Sequence, residues 1–175
     1  MRWFTSDQHF GHRNIIEYCN RPWKDIHEMN QGIIDNWNSV VSTEDTVFVV
    51  GDVFLCSPGQ AKEIISQLNG KKILIRGNHD RSIETMKGVG FAEVYSKLTI
   101  QLQDGRQALL SHKPITWNQF RNEANLLIHG HHHHGNVVNG YRVNACVDLW
   151  DYHPFSEDQL CQLSLSEPKE NQDLL

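Results

Sequence analysis

The chain has 175 residues, of which 39% are hydrophobic and 21% charged, and its formal net charge is -5. This length fits one domain of roughly 100–200 residues, with a core large enough to need no disulfide bonds. The acidic balance argues against a protein that grips nucleic acid through a basic surface, although a metal site could still admit a nucleotide or a nucleic-acid end. A disulfide framework and a thiolate zinc site are also disfavoured, because the four cysteines form no CxxC pair.

The N-terminal residues lack the long apolar run of a signal peptide, and no stretch approaches the length of a membrane span. We therefore expect a cytoplasmic protein with reduced thiols and no membrane partner. No internal repeat or linker divides the chain. The prediction is one domain over residues 1–165, followed by a polar C-terminal tail at residues 166–175. The oligomeric state has no signature in the sequence.

Strands and helices alternate in the first half of the chain. Arg2–Ser6 predicts a first strand, and Val47–Val50 and Ile73–Ile75 predict two buried strands. Asp25 is a predicted helix cap, and Ser57 begins a second helix with proline at its first position. This alternation indicates a parallel sheet with helices packed against it.

The second half is typical of hairpins. Asp104-Gly105 and Asn139-Gly140 each predict a turn next to residues of alternating polarity. Leu126–Ile128 predicts another buried strand, and alternation continues from Tyr141 to Val147. Ser156 is the predicted cap of a last short helix.

Candidate metal ligands follow five of the predicted strands, one of which is Gln107–Leu110 after the turn at Asp104-Gly105. In open α/β sheets, ligands bind beyond the carboxyl ends of the strands, where residues distant in sequence meet. Each fragment also has a plainer interpretation: Asp80 could cap a helix, and His112 alone is more often a satisfied core or surface histidine. The order of all the fragments favours a shared site. They are Asp7-Gln8-His9, Gly51-Asp52, Gly77-Asn78-His79-Asp80, His112 and Gly130-His131-His132-His133.

In this order the fragments resemble the calcineurin-like metallophosphoesterase family, and the first resembles that of its compact bacterial and phage branch. The resemblance runs from residue 7 to 133, and residues 144–148 are similar to the family's closing strand. It implies an α/β fold, a four-layer α/β/β/α sandwich of two mixed β-sheets flanked by helices. It also implies a dinuclear-metal-dependent phosphoesterase that hydrolyses phosphate mono- or diesters.

The resemblance further implies two divalent metal ions bridged by Asp52. Mn is preferred, with Fe, Zn or Ni as alternatives, because the ligand set has no thiolate. An extended strand would put ligands two residues apart on one face, so that His132 and His134 would point away. The first metal would take Asp7, His9, Asp52 and His133, and the second would take Asp52, Asn78, His112 and His131.

The implied mechanism follows from charge. Two cations roughly 3.5–4 Å apart lower the pKa of a bridging water and clamp phosphate oxygens, and the hydroxide attacks phosphorus in line. The resemblance implies that His79 contacts the substrate, where it would stabilise the transition state or protonate the leaving oxygen. Its plainer interpretation is a turn residue. His12 and Arg13 are candidate phosphate contacts, or else they begin a surface helix.

One departure from the family pattern is informative. Protein phosphatases of the family extend the second motif to Gly-Asp-x-x-Asp-Arg, whereas Leu55 and Cys56 occupy the last two positions here. This argues against a Ser/Thr protein phosphatase and leaves the group that orients His79 open. Two alternatives also stay open: a catalytically silent scaffold with the same fold, and metals that only stabilise the fold.

Overall fold

The computed structural model of the protein describes residues 1–166, so the predicted tail beyond Ser166 lies outside the described residues. Within this range no helix is long and apolar enough to cross a membrane. The helices are α1 (Ile15–Tyr18), α2 (Ile26–Val40), α3 (Pro58–Ile65), α4 (Ile83–Val89) and α5 (Glu157–Gln162). The strands are β1 (Arg2–Thr5), β2 (Thr46–Val49), β3 (Lys71–Ile75), β4 (Glu93–Tyr95), β5 (Leu98–Gln101), β6 (Gln107–Leu110), β7 (Leu126–His129), β8 (Val138–Asn139), β9 (Arg142–Asn144) and β10 (Phe155–Ser156).

The strands form two mixed sheets of five strands each. The first has the order β10-β1-β2-β3-β4, in which β1 to β4 are parallel and β10 is antiparallel. The second has the order β5-β6-β7-β9-β8, with a parallel centre and antiparallel edges. Parallel neighbours need crossover connections, which α2, α3 and α4 supply in the first sheet.

Three apolar clusters separate the layers. The cluster between the sheets includes Phe4 and Ile75 from the first sheet and Leu110 from the second. A second cluster, which includes the fully buried Trp37, packs α2, α3 and α4 on the outer face of the first sheet. The outer face of the second sheet is covered more thinly, by a 3₁₀ turn at Trp117–Gln119 and the residues that follow. The predicted sandwich is confirmed.

The local signals near the helix ends are also confirmed. Asp25 accepts hydrogen bonds from the backbone of His27 and Glu28, and Ser57 and Ser156 each form a capping box. The sequence analysis missed the short strands β4 and β10, and it considered helices near α1 and α4 only as alternatives. Elements of two to seven residues carry too few apolar positions to show a period.

Candidate metal centre

The carboxyl ends of β1, β2, β6 and β7 meet at one edge of the sandwich. The Asp7 N–H donates to the Gly51 carbonyl (2.9 Å), which joins the ends of β1 and β2. The Gly130 N–H donates to the His112 carbonyl (3.0 Å), which joins the ends of β6 and β7. Across the two sheets, the His131 N–H donates to the Asp7 carboxylate (2.9 Å). The predicted fragments therefore lie side by side.

The backbone at this edge is strained at several predicted ligands. Seven non-glycine residues of the described range have positive φ, and four of them are predicted ligands: Asp7 (61°), His9 (53°), Asp52 (55°) and His131 (70°). Such conformations cost on the order of 1–3 kcal/mol each and persist only where the surroundings enforce them. The prediction of extended strands through these residues is wrong, since β1 and β7 end before them. Left-handed backbone turns the side chains toward the edge instead.

The side chains gather into two groups that share a carboxylate. In the first, the Nε2 atoms of His9 and His133 lie 3.9 and 3.8 Å from Asp7 Oδ1. In the second, His112 Nε2 lies 3.2 Å from Asp52 Oδ2, and His131 joins them. Asp52 Oδ2 is also 4.0 Å from His9 Nε2, so this carboxylate stands between the groups.

Asn78 lies in the loop after β3, and this loop contacts the shared carboxylate of Asp52. Its neighbour His79 donates a backbone N–H to Asp52 Oδ1 (2.9 Å). A Cβ at Gly77 would lie 2.1 Å from the same oxygen, so only glycine fits there. The loop after β3 thus packs directly on the shared carboxylate, and the Asn78 side chain is exposed beside it.

The hydrogen bonding of the histidines fits a metal site. His9 Nε2 and His112 Nε2 are buried and have no hydrogen-bond partner among residues 1–166; the 3.2 Å contact of His112 with Asp52 lacks the alignment of a hydrogen bond. His112 Nδ1 contacts the Val50 carbonyl (2.8 Å), so in the neutral form that a metal would bind, the Nε2 lone pair faces Asp52. Metal-bound histidines commonly donate the N–H of their other ring nitrogen to a carbonyl or carboxylate oxygen.

The charges of the site are unbalanced without a cation. Burial raises the pKa of Asp7 to about 6, which nearby His112 only partly offsets. Burial also lowers the pKa of His9 to about 3, so its ring is neutral near pH 7. At Asp52 burial acts to raise the pKa, but His112, the His79 N–H and His9 together outweigh it and hold the pKa at about 2. A buried divalent cation would favour both ionised carboxylates and the neutral imidazoles.

His133 is oriented by residues that the sequence analysis did not identify. Its Nδ1 contacts Asp148 Oδ2 (2.8 Å), which leaves Nε2 for Asp7. Cys19 lies near the same pair, but burial raises the pKa of its thiol to about 11, so it is not a ready ligand. Buried Arg21 holds Asp148 through two hydrogen bonds of 2.9 and 2.8 Å. Arg21 and Asp148 are 127 positions apart, so no local pattern links them.

Asp80 is not the helix cap that was considered from the sequence. Ser82 caps α4, and the Asp80 carboxylate accepts the backbone N–H groups of Asp52 (2.9 Å), Val53 (3.0 Å) and Gly77 (2.8 Å). It therefore ties the loop after β2 to the loop after β3. Burial raises the pKa of this carboxyl group.

We expect Asp80→Ala to lower the free energy of unfolding by roughly 3 kcal/mol, because each unpaired buried N–H costs about 1–3 kcal/mol and the losses are not fully additive. Asp80→Asn, which keeps one acceptor oxygen, should lose less. Urea unfolding measures both, with Glu63→Gln on the exposed face of α3 as the control. Stability of Asp80→Ala equal to that of the control would contradict the role of Asp80.

His79 lies at the open side of the centre. Its side chain is 49% exposed, and its Nε2 is 3.9 Å from Asp52 Oδ2, the one carboxylate recorded within 4.0 Å of it in the described range. Its ring also stands 5.6 Å from that of His9. Leu55 is exposed, and no other acidic side chain replaces the missing carboxylate of the second motif among residues 1–166.

The two candidate phosphate contacts differ in position. The ring of His12 lies 5.5 Å from that of His9, and its Nδ1 is buried without a hydrogen-bond partner in the described range. Arg13 is exposed, and no hydrogen bond or ion pair joins its side chain to the centre among residues 1–166. His132 and His134 are exposed and belong to neither group, although the His132 ring lies 5.7 Å from that of His131.

Comparison with known proteins agrees with this geometry. A model of the calcineurin-like phosphoesterase superfamily domain matches residues 23–144. The chain belongs to this superfamily. It is 35% identical to an uncharacterized protein of Methanocaldococcus jannaschii over 92% of this chain and 89% of that one. It is 30% identical to the gene 66 protein of Mycobacterium phage L5, over 85% and 86% of the two chains.

A solved structure shows the same fold. The crystal structure of a protein of unknown function from Aquifex aeolicus superposes with a TM-score of 0.77 at 32% sequence identity. The match covers 94% of this chain and 99% of that chain. Members of the superfamily are in general phosphoesterases that bind divalent metals, and the described residues contain His/Asp groups suited to such ions.

Proposed function

We propose that the protein is a dinuclear-metal-dependent phosphoesterase that hydrolyses phosphate mono- or diesters. One observation supports this proposal most directly. The buried carboxylate of Asp52 lies between the two groups, and the nearby His9 Nε2 and His112 Nε2 atoms have no hydrogen-bond partner in the described range. Buried polar atoms without partners are rare unless a ligand uses them. Mn is the preferred ion, since the site offers nitrogen and oxygen donors.

The ligand sets follow from the two groups. Asp52 belongs to both sets, because it lies within 4.0 Å of a histidine in each. Asn78 is assigned through the contact of its loop with Asp52. One ion would take Asp7, His9, Asp52 and His133, and the other would take Asp52, Asn78, His112 and His131.

When bound, such ions neutralise phosphate oxygens and lower the pKa of a water at the site. The residues around them fix the arrangement. Arg21 and Asp148 hold His133, and Asp80 holds the loops of Asp52 and Asn78. Because these contacts exist before the substrate binds, the site needs little reorganisation during the reaction.

His79 is suited to act on the substrate. It is half exposed beside Asp52, and its Nε2 is available at the open side of the site. We assign it to stabilising charge on the phosphate rather than to protonating the leaving oxygen, because within residues 1–166 no second carboxylate is near to orient and polarise the ring. His12 is a candidate for a further phosphate contact. Arg13 is the weaker candidate because its exposed side chain has no hydrogen bond or ion pair with the centre in the part of the chain that the structure describes.

We expect His79→Ala to keep two metals and a normal fold while turnover falls roughly 10²–10⁴-fold, the range of a group that acts in the transition state. If His79 stabilises charge, the loss should be similar for aryl and alkyl phosphates. If it is a general acid, the loss should shrink for aryl leaving groups. Metal analysis is the check on the assignment, since depletion of either metal would make His79 a ligand.

Hydrolysis of an aryl phosphate monoester and of a diester by the Mn-loaded protein tests the proposal directly. Turnover of either one supports it. Two bound metals without turnover of these or of nucleotides, cyclic nucleotides, sugar phosphates and nucleic-acid ends would favour the silent scaffold.

A further inference from the structure

A cavity lies beside the loop that carries His131 and His133. Its volume is 290 Å³, and its wall includes His129, His132, His134, Arg142 and Asn144. The remaining lining residues are proline, glycine and asparagine, so no acidic side chain of the described range faces the cavity. None of its residues is among the proposed metal ligands.

Arg142 is the unusual member of this wall. It is 8% exposed, yet no carboxylate lies within ion-pair distance of it among residues 1–166. Its Nη2 donates to the Tyr141 hydroxyl (2.8 Å), and its guanidinium lies 5.0 Å from the centre of that ring. Its Nε is buried and has no hydrogen-bond partner in the described range. A buried, uncompensated charge costs several kcal/mol.

The sheet register explains why polar side chains gather here. Arg142 and Asn144 are two residues apart on β9, and His129 is the partner of Asn144 on β7. Val143 and Ile128 alternate with them and enter the apolar cluster between the sheets. The polar residues therefore face outward, at the carboxyl end of the thinly covered face of the second sheet.

We propose that this cavity binds a phosphate group, with the Arg142 guanidinium as its principal contact. A phosphate would neutralise the buried charge and accept the free Nε–H, and the planar guanidinium matches phosphate geometry. Asparagine side chains of the wall offer further N–H donors. Binding of a phosphate group in this cavity does not require that the metal centre be catalytic.

The position of the cavity suggests where the phosphate comes from. His132 and His134 also line a groove that contains His131, His133 and the exposed Tyr18. A ligand with two phosphate groups could thus occupy the metal centre and the cavity together. Free inorganic phosphate from solution is the other source. The first source rests on the proposed function, whereas the second does not.

Titration of the full-length, metal-free protein with inorganic phosphate tests the site. We expect Arg142→Met to weaken phosphate binding at least about tenfold, because the charged hydrogen bonds of the guanidinium are lost. Arg121→Met, at an exposed arginine, is the matched control and should bind normally. Asp52→Asn should also bind normally, which separates this site from the metal centre. No binding by the wild type, or unchanged binding by folded Arg142→Met, would overturn the proposal.

A measurement on the wild type covers the case in which Arg142→Met does not fold. The Nε–H resonance of Arg142, assigned by its absence from Arg142→Lys, should shift as phosphate is added. An unshifted resonance at saturating phosphate would overturn the proposal.

Kinetics of the metal-loaded enzyme separate the two sources. If the cavity holds a second phosphate of the substrate, Arg142→Met should raise KM for a nucleoside 3′,5′-bisphosphate and leave KM for the monophosphate unchanged. If it holds free phosphate, both KM values should be unchanged while phosphate binding to the metal-free protein is lost. If the metal-loaded enzyme hydrolysed neither substrate, that result would count against the proposed function. The phosphate titration of the metal-free protein would still test whether the cavity binds phosphate.

Discussion

Removal of divalent cations is expected to lower hydrolysis of an aryl phosphate roughly 10³-fold or more, with the fold intact. Metal ions contribute several kcal/mol to the stabilisation of the transition state, and about 1.4 kcal/mol corresponds to a factor of ten in rate. The fold should survive, because the three apolar clusters lie between the layers and not at the edge that carries the ligands.

The measurement is turnover after dialysis against a chelator, with far-UV circular dichroism of the same sample. Re-addition of Mn should restore activity, and re-addition after His112→Ala should restore less of it. Unchanged turnover after thorough removal of metal would exclude the two-metal mechanism. Loss of the circular dichroism spectrum together with activity would support metals that only stabilise the fold.

Asp52→Asn is expected to cost more activity than the loss of any single terminal histidine ligand. The carboxylate stands between both groups, so the amide weakens two metal positions, whereas His131→Ala or His133→Ala weakens one. We expect a loss of about 10³-fold or more, in the range that several kcal/mol of metal stabilisation implies. The substitution keeps the shape of the side chain, and its oxygen can still accept the His79 N–H.

Metal content and turnover should be measured together for Asp52→Asn, His131→Ala and His133→Ala. Depletion of both metals in the first variant and of one metal in each of the others is the expected pattern. Near-normal turnover of Asp52→Asn with two bound metals would show that the bridge is misassigned.

The resemblance to the phosphoesterase family rests on residues that sequence alone presents in order. Gly77-Asn78-His79-Asp80 and Gly130-His131-His132-His133 stand after apolar strands, and a strand followed by polar ligands is a local pattern. Helix caps at Asp25, Ser57 and Ser156 are local as well, since a cap involves residues within one turn. These features could therefore be identified from the sequence, and the mixed two-sheet sandwich was implied by the family resemblance that the motifs carry.

Only the tertiary structure decided how the ligands are aimed and supported. The left-handed backbone at Asp7 and His131 is imposed by contacts between the two sheets, and strand periodicity predicts the opposite. Arg21 forms a hydrogen bond with Asp148, which is 127 positions away in the sequence. The Nε atom of Arg142 is buried without a hydrogen-bond partner among residues 1–166, which only the folded structure can show. Hydrophobic periodicity predicts secondary structure from residues that are close in sequence. These contacts instead join residues that are distant in sequence and depend on how the two sheets pack. The identity of the candidate ligands was thus local information, and their geometry was not.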